Sequence, residues 1–155
     1  MGRAYNRCAL AAVLIAFAPT MASAASCTAG ASGIAFGLYN PLSSSANTST
    51  GSVTVTCAGV GLLYSYTITL SAGAGSYAQR KLTGTATPLN YNLYSNAGMT
   101  SIWGDGTAGT STVSDSYVLT LGSAAKSYPL YANMPALQNV AAGAYSDSII
   151  VTVSY

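Results

Sequence analysis

The chain has no histidine and no glutamate, and only three aspartates stand against five lysines and arginines. Histidine is the usual general base and a frequent metal ligand, so most hydrolytic and metal chemistry lacks its ordinary parts here. Asp105, Asp115 and Asp147 fall in different expected loops or strand starts, which leaves no carboxylate pair. Serine and threonine abound, but a nucleophilic hydroxyl needs a base beside it. Lys81 and Lys126 are the candidates for that role, and Arg80-Lys81 reads more simply as a solvated charge pair at a strand end. The chain is therefore read as non-enzymatic, with no cofactor. Helix signals are also scarce: no apolar period of 3.6 residues is sustained over three turns after residue 24, and glycine interrupts most windows.

The first 24 residues read as a secretory signal peptide. Arg3 and Arg7 precede an apolar stretch from Cys8 to Ala18, and Ala22-Ser23-Ala24 fits a small-x-small cleavage site. The stretch is too short for a membrane span. Cleavage is expected before Ala25, with Ser26 as the alternative start. A lipoprotein signal would want a Leu-like residue three before Cys27, where Ala24 stands. Of the formal charge of +2, Arg3 and Arg7 account for all: Arg80, Lys81 and Lys126 against three aspartates leave three minus three, or zero. A neutral chain of so few charges is a poor partner for nucleic acid, whose binding rests on cationic neutralisation of phosphates. It has no polybasic membrane patch, and low charge favours association.

The remaining 131 residues (155 minus 24) suit one domain with a real core, spanning 25–155. Two of the three cysteines remain, Cys27 and Cys57, 30 positions apart. In an exported protein a disulfide is the default; the alternative, a two-Cys metal site, would have neither His nor Glu to complete it. Strand signals are frequent. They fall at 33–39 (ending at the turn-like Asn40-Pro41), 52–57, 64–70, 89–94, 116–121, 127–134 and the closing segment from 147. Residues 43–51 read as a polar loop and 134–144 as another. Pro129 pushes its strand toward an edge. Seven or eight short strands predict an all-β, immunoglobulin-like antiparallel sandwich. Most tyrosines take inward strand positions, so packing is their expected role.

Three local motifs are weak. Gly104, Gly106 and Gly109 match a phosphate-loop pattern, but no helix follows, and Asp105-Gly106 reads as a tight turn. Trp103 reads as core or partial cover rather than a surface aromatic. Asn47-Thr48-Ser49 is a glycosylation sequon by pattern alone.

Taken together, Cys27 with GIAFGLYNP (33–41), TGSVTVTC (50–57), YTITLSAG (66–73), LNYNLYSNAGMTSIWGDGT (89–107) and GAYSDSIIVTVSY (143–155) resemble the spore coat protein U domain, the pilin-like module of archaic chaperone–usher pili. The resemblance spans nearly all of 25–155. It implies a sandwich lacking one strand, completed first by a periplasmic chaperone and then, at an outer-membrane usher, by a neighbouring pilus subunit that donates a strand. It implies a groove lined or bordered by Ile149, Val151, Val153 and Tyr155, with the terminal carboxylate gripped by the chaperone. It further implies secretion through the periplasm to a cell-surface pilus that serves attachment and biofilm formation.

A donor segment of about 10 residues would span roughly 33 Å. Only Ala25 and Ser26 precede Cys27 in the expected mature chain, too few to donate. The expectation is a terminal (tip) subunit, with a spore-coat or cell-envelope structural protein as the alternative. Mass spectrometry of the exported protein should give a chain beginning at Ala25; retention of residues 1–24 would remove the leader from this reading.

Overall fold

A computed structural model describes residues 26–84 and 87–155 of the chain. The expected leader lies outside the described residues. Six strands occur among those described: β1 (Ser26–Ala31), β2 (Asn47–Leu70), β3 (Arg80–Leu82), β4 (Leu89–Tyr94), β5 (Val113–Met134) and β6 (Val151–Ser154). The pairings among these strands are all antiparallel.

Two strands dominate. β2 has 24 residues and β5 has 22, and they pair from Asn47 opposite Met134 to Ile68 opposite Val113. Their buried positions change parity midway. Val53, Val55 and Cys57 are buried in the first half of β2; Tyr64, Tyr66, Ile68 and Leu70 are buried in the second. In β5 the switch runs from Leu119 to Leu130, Ala132 and Met134. Side chains alternate strictly along a strand, so a ribbon that keeps one side inward on both halves must fold over between them. The fold falls where Gly59 faces Gly122. Gly122 has φ of 100°, a conformation that a Cβ would disfavour. The ribbon thus turns a corner, and its halves become opposing walls of the sandwich.

The other elements attach to this ribbon. β1 and β6 lie on the edge of β2 away from β5, β1 beside the first half and β6 beside the second. β4 lies on the far edge of β5, and β3 on β4. Trp103 is completely buried, and its indole N–H donates to the Ile68 carbonyl at 3.1 Å. Cys27 sits opposite Cys57 in the β1–β2 register, and the two form a disulfide.

Several expectations change. The separate strands 52–57 and 64–70 are one strand, as are 116–121 and 127–134, because glycines at the corner bend the chain without ending its ladder. Asn47–Gly51, expected in a loop, opens β2. The segment 33–39 forms no strand, while the poor strand former SCTAGA does, held by β2 and the disulfide. Pro129 lies inside β5 opposite Ser52. It removes no ladder bond, because the N–H and C=O of Ser52 are both engaged by Ser32, away from β5.

Arg80 departs furthest from its expectation. It is not a solvated charge but fully buried, at 0% exposure. Its guanidinium donates to the Ser71 carbonyl from both Nε (3.1 Å) and Nη2 (2.9 Å), to the Trp103 carbonyl (2.8 Å) and to Asn92 Oδ1 (2.7 Å). Asn92 in turn donates to the carbonyls of Tyr77 and Ala78. Burial lowers the Arg80 pKa from its ordinary value, yet the fork of donors satisfies three elements at once. Arg80→Ala would take this donor from the Ser71 and Trp103 carbonyls at about 1–3 kcal/mol each, while Asn92 Oδ1 keeps the Leu93 N–H, so a loss of at least about 2 kcal/mol is expected in urea denaturation. Replacing both cysteines by serine should cost roughly 3–4 kcal/mol through the unfolded chain's loop entropy. Equal midpoints for wild type and Arg80→Ala would contradict the buried network.

Candidate strand-acceptor groove

The closing segment is an alternating apolar sequence, and the structure uses its alternation. Ile149, Val151 and Val153 pack against the core, while Ile150 between them is 69% exposed. Its backbone alternates too. Ser71 N–H donates to the Ile150 carbonyl at 3.0 Å, and Ile150 N–H donates to Ser71 Oγ at 2.9 Å. Residues 150, 152 and 154 therefore turn their backbone groups toward β2, and 149, 151 and 153 turn theirs away. Among the described residues no strand pairs with that outer edge. An apolar strand with an open ladder is a template for another chain.

Opposite this edge runs the segment 31–36. Between the two walls lies a cavity of about 210 Å³, floored by Leu70, Tyr91, Leu93 and Leu130. It continues into a larger one of about 610 Å³ that reaches Leu89, Met134 and Tyr145. Ile34, Phe36, Leu82 and Asp147 line both. The Phe36 ring meets Tyr91 edge-on, with centroids 5.9 Å apart.

The far wall stands off from β2 for a visible reason. Ser49 Oγ donates to the Ala35 carbonyl at 2.8 Å, and Asn47 Nδ2 donates to the carbonyls of Phe36 and Leu38. Side chains of β2 thus take the place of backbone pairing, and Gly37 (φ 71°) breaks the extended run. The Asn47 amide, the acceptor atom of the sequon, is spent on these carbonyls.

Asp147 staples the start of the closing segment. Its Oδ1 accepts from Ala74 N–H (3.0 Å) and Ser148 N–H (2.8 Å), and its Oδ2 accepts from the Tyr91 hydroxyl (2.7 Å). Burial raises the Tyr91 phenol's pKa, and the bond to Asp147 adds to the rise. Gly73 at φ 64° lets the turn approach; a Cβ there would lie 2.1 Å from the carboxylate.

A second polar cluster links the two halves of the folded ribbon, Tyr66 and Asp115 from one and Lys126 and Tyr128 from the other. Asp115 pairs with the Lys126 ammonium and accepts from the Tyr128 hydroxyl (2.8 Å), while Tyr66 and Tyr128 share a hydroxyl–hydroxyl bond. The Lys126 partner, then Tyr128, pulls the Asp115 pKa down to about 2. Burial and the Tyr66 bond push the Tyr128 phenol upward. Lys126 is thus paired with a carboxylate.

The four residues expected at the groove separate. Ile149 and Val151 line the cavity, and Val153 packs beside them against the core. Tyr155 is 61% exposed and borders a different open trough with Ser65, Asp115 and Ser154. The wall 31–36 and the floor from β4 were not singled out in the sequence. The alternation of 33–39 marks the wall and that of 89–94 the floor, but neither pattern shows by itself that it faces an open edge.

The model of the Spore Coat Protein U domain family matches residues 12–152, and the chain belongs to this family. Comparison with curated proteins gives no match. Among solved structures, the chain is similar to one in the crystal structure of the CsuC–CsuE chaperone–tip adhesion subunit pre-assembly complex from archaic chaperone-usher Csu pili of Acinetobacter baumannii. The two are 20% identical with a TM-score of 0.57, and the match covers 84% of this chain and 40% of that one. This likeness carries the fold: an immunoglobulin-like all-β domain, of which the chain spans two fifths of the longer protein's length.

Asp115 gives a pH test. Its folded pKa lies below the unfolded carboxylate value of about 3.9, so its contribution is complete above about pH 4 and is lost as pH falls toward about 2. Urea midpoints for Asp115→Asn should approach those of wild type over this interval; a constant gap between them down to about pH 2 would contradict the pairing.

Proposed function

We propose that the chain is a structural, non-enzymatic subunit of an archaic chaperone–usher pilus, and that its sandwich is completed by a strand from another protein. The observation that carries this reading is the open outer edge of β6 beside a cavity floored by core side chains. An added strand would gain a backbone ladder on β6 and place alternate side chains into the cavity. Ile149, Val151 and Val153 are assigned to the groove, with Tyr155 at its border. A periplasmic chaperone fills the groove first, and a neighbouring subunit's strand replaces it at the outer-membrane usher. The protein then resides in a cell-surface pilus and serves attachment and biofilm formation.

We place the subunit at the fibre's tip. In support, β1 is committed from Ser26 onward to the domain's own sheet and tied by Cys27 to Cys57, so donating this segment would dismantle the acceptor. The alternative, a spore-coat or cell-envelope structural protein, would use the same groove without a pilus. It finds its support in the family's name.

Coexpression with its cognate periplasmic chaperone should yield a one-to-one complex. Val151→Asp, whose side chain enters the groove, should reduce copurification at least about tenfold, because a buried charge lacks a partner there. Ile150→Asp, on the exposed side of the same strand, should leave it unchanged. Equal effects of the two substitutions would contradict strand capture. Immunogold labelling confined to fibre ends supports the tip position, and labelling along the shaft overturns it.

A further inference from the structure

The groove is mostly apolar; its polar lining side chains are Ser32, Ser146, the tyrosine hydroxyls and one charged group. Among its described lining residues Asp147 is the only carboxylate, and there is no lysine or arginine. It stands where the two cavities meet and belongs to the lining of both. Its hydrogen bonds are unevenly divided: Oδ1 accepts two N–H groups, whereas Oδ2 accepts only the Tyr91 hydroxyl among the bonds described. A carboxylate oxygen has room for two donors.

Uniform alternation leaves a strand's register weakly determined. A slip of one residue turns its apolar side outward and is strongly opposed, but a slip of two restores the same pattern one step along. An apolar channel cannot tell these two registers apart well. A polar group inside it can, because a side chain that covers a carboxylate without donating to it removes water and returns nothing. A lone polar residue in an apolar seam is a well-attested register device.

We propose that Asp147 sets the register of the strand that enters this groove by requiring a hydrogen-bond donor, a hydroxyl or amide side chain, at the one inward position that passes over it. This rests on the strand-acceptor reading above and adds to it the chemistry of the partner. The partner's inward row is apolar except at that position.

The test uses the full exported chain refolded with synthetic peptides. The parent peptide has about 11 residues, enough for a strand of roughly 36 Å, with Val at every inward position. In each of the others one inward Val is replaced by Thr, its isostere with a hydroxyl. At one position Thr should bind about fivefold or more tighter than Val, and at the others it should bind weaker. With Asp147→Leu the favoured position should become unfavourable like the rest, provided the parent peptide still binds. Binding of the parent with no position favouring Thr overturns the register device and leaves the groove reading standing. Failure of every peptide, the parent included, to bind wild type overturns both. A preference for Thr that survives unchanged in Asp147→Leu shows that another group reads the hydroxyl, and also overturns the proposal.

Discussion

The antiparallel ladder between β2 and β5 supports the rest of the molecule. It runs from Asn47–Met134 to Ile68–Val113 and folds over at Gly59 and Gly122, so one ribbon supplies both walls. β1, β4 and β6 are additions to its two edges, and β3 follows on β4. This arrangement concentrates the non-local pairing in one long-range contact, since β2 and β5 are separated by 42 residues of chain, from 71 to 112. It also explains the open groove. β1 and β6 attach to different halves of the same β2 edge, and the chain from 33 to 38 is held to β2 by the Ser49 and Asn47 side chains rather than by a backbone ladder.

Polar groups are then used to hold the connections in place around a core that stays apolar. Arg80 gathers the carbonyls of Ser71 and Trp103 and the side chain of Asn92. Asp147 gathers two backbone amides and the Tyr91 hydroxyl. Both are charged types in a protein that has few, and both serve turns that flank the groove. Each holds its turn through several directed bonds, and such bonds fix geometry as well as stability. For a domain that must remain receptive along one edge, fixed geometry around the opening matters, because an incoming backbone can pair only with a strand already in place.

The all-β class, the pairing of Cys27 with Cys57, the inward residues of 52–57 and 64–70 and the core role of Trp103 were legible in the sequence; the turn expected at Asp105-Gly106 is a bend, and the hydrogen-bonded turn follows at Thr107–Thr110. The legible features rest on local patterns, alternation and an exported cysteine pair above all. Arg80 was not legible, since nothing around Arg80-Lys81 tells which of the two cations turns inward. The fusion of strands at Gly59 and Gly122 was missed for a related reason. Glycine marks a break or a bend equally well, and only the facing strand decides which. The segment 33–39 shows the reverse case, with strand propensity but no neighbour to pair with.

What the sequence determined by itself was the face of each segment that would be apolar, because side-chain alternation is written residue by residue. The closing alternation at Ile149, Val151 and Val153 is such a case. Whether an edge is occupied was decided only by the tertiary structure. An edge is a relation between two backbones, and backbone amides are the same in every residue type apart from proline. The open side of β6, the stand-off of 33–39 on the side chains of Asn47 and Ser49, and the position of Asp147 between two cavities all arise from how distant stretches meet.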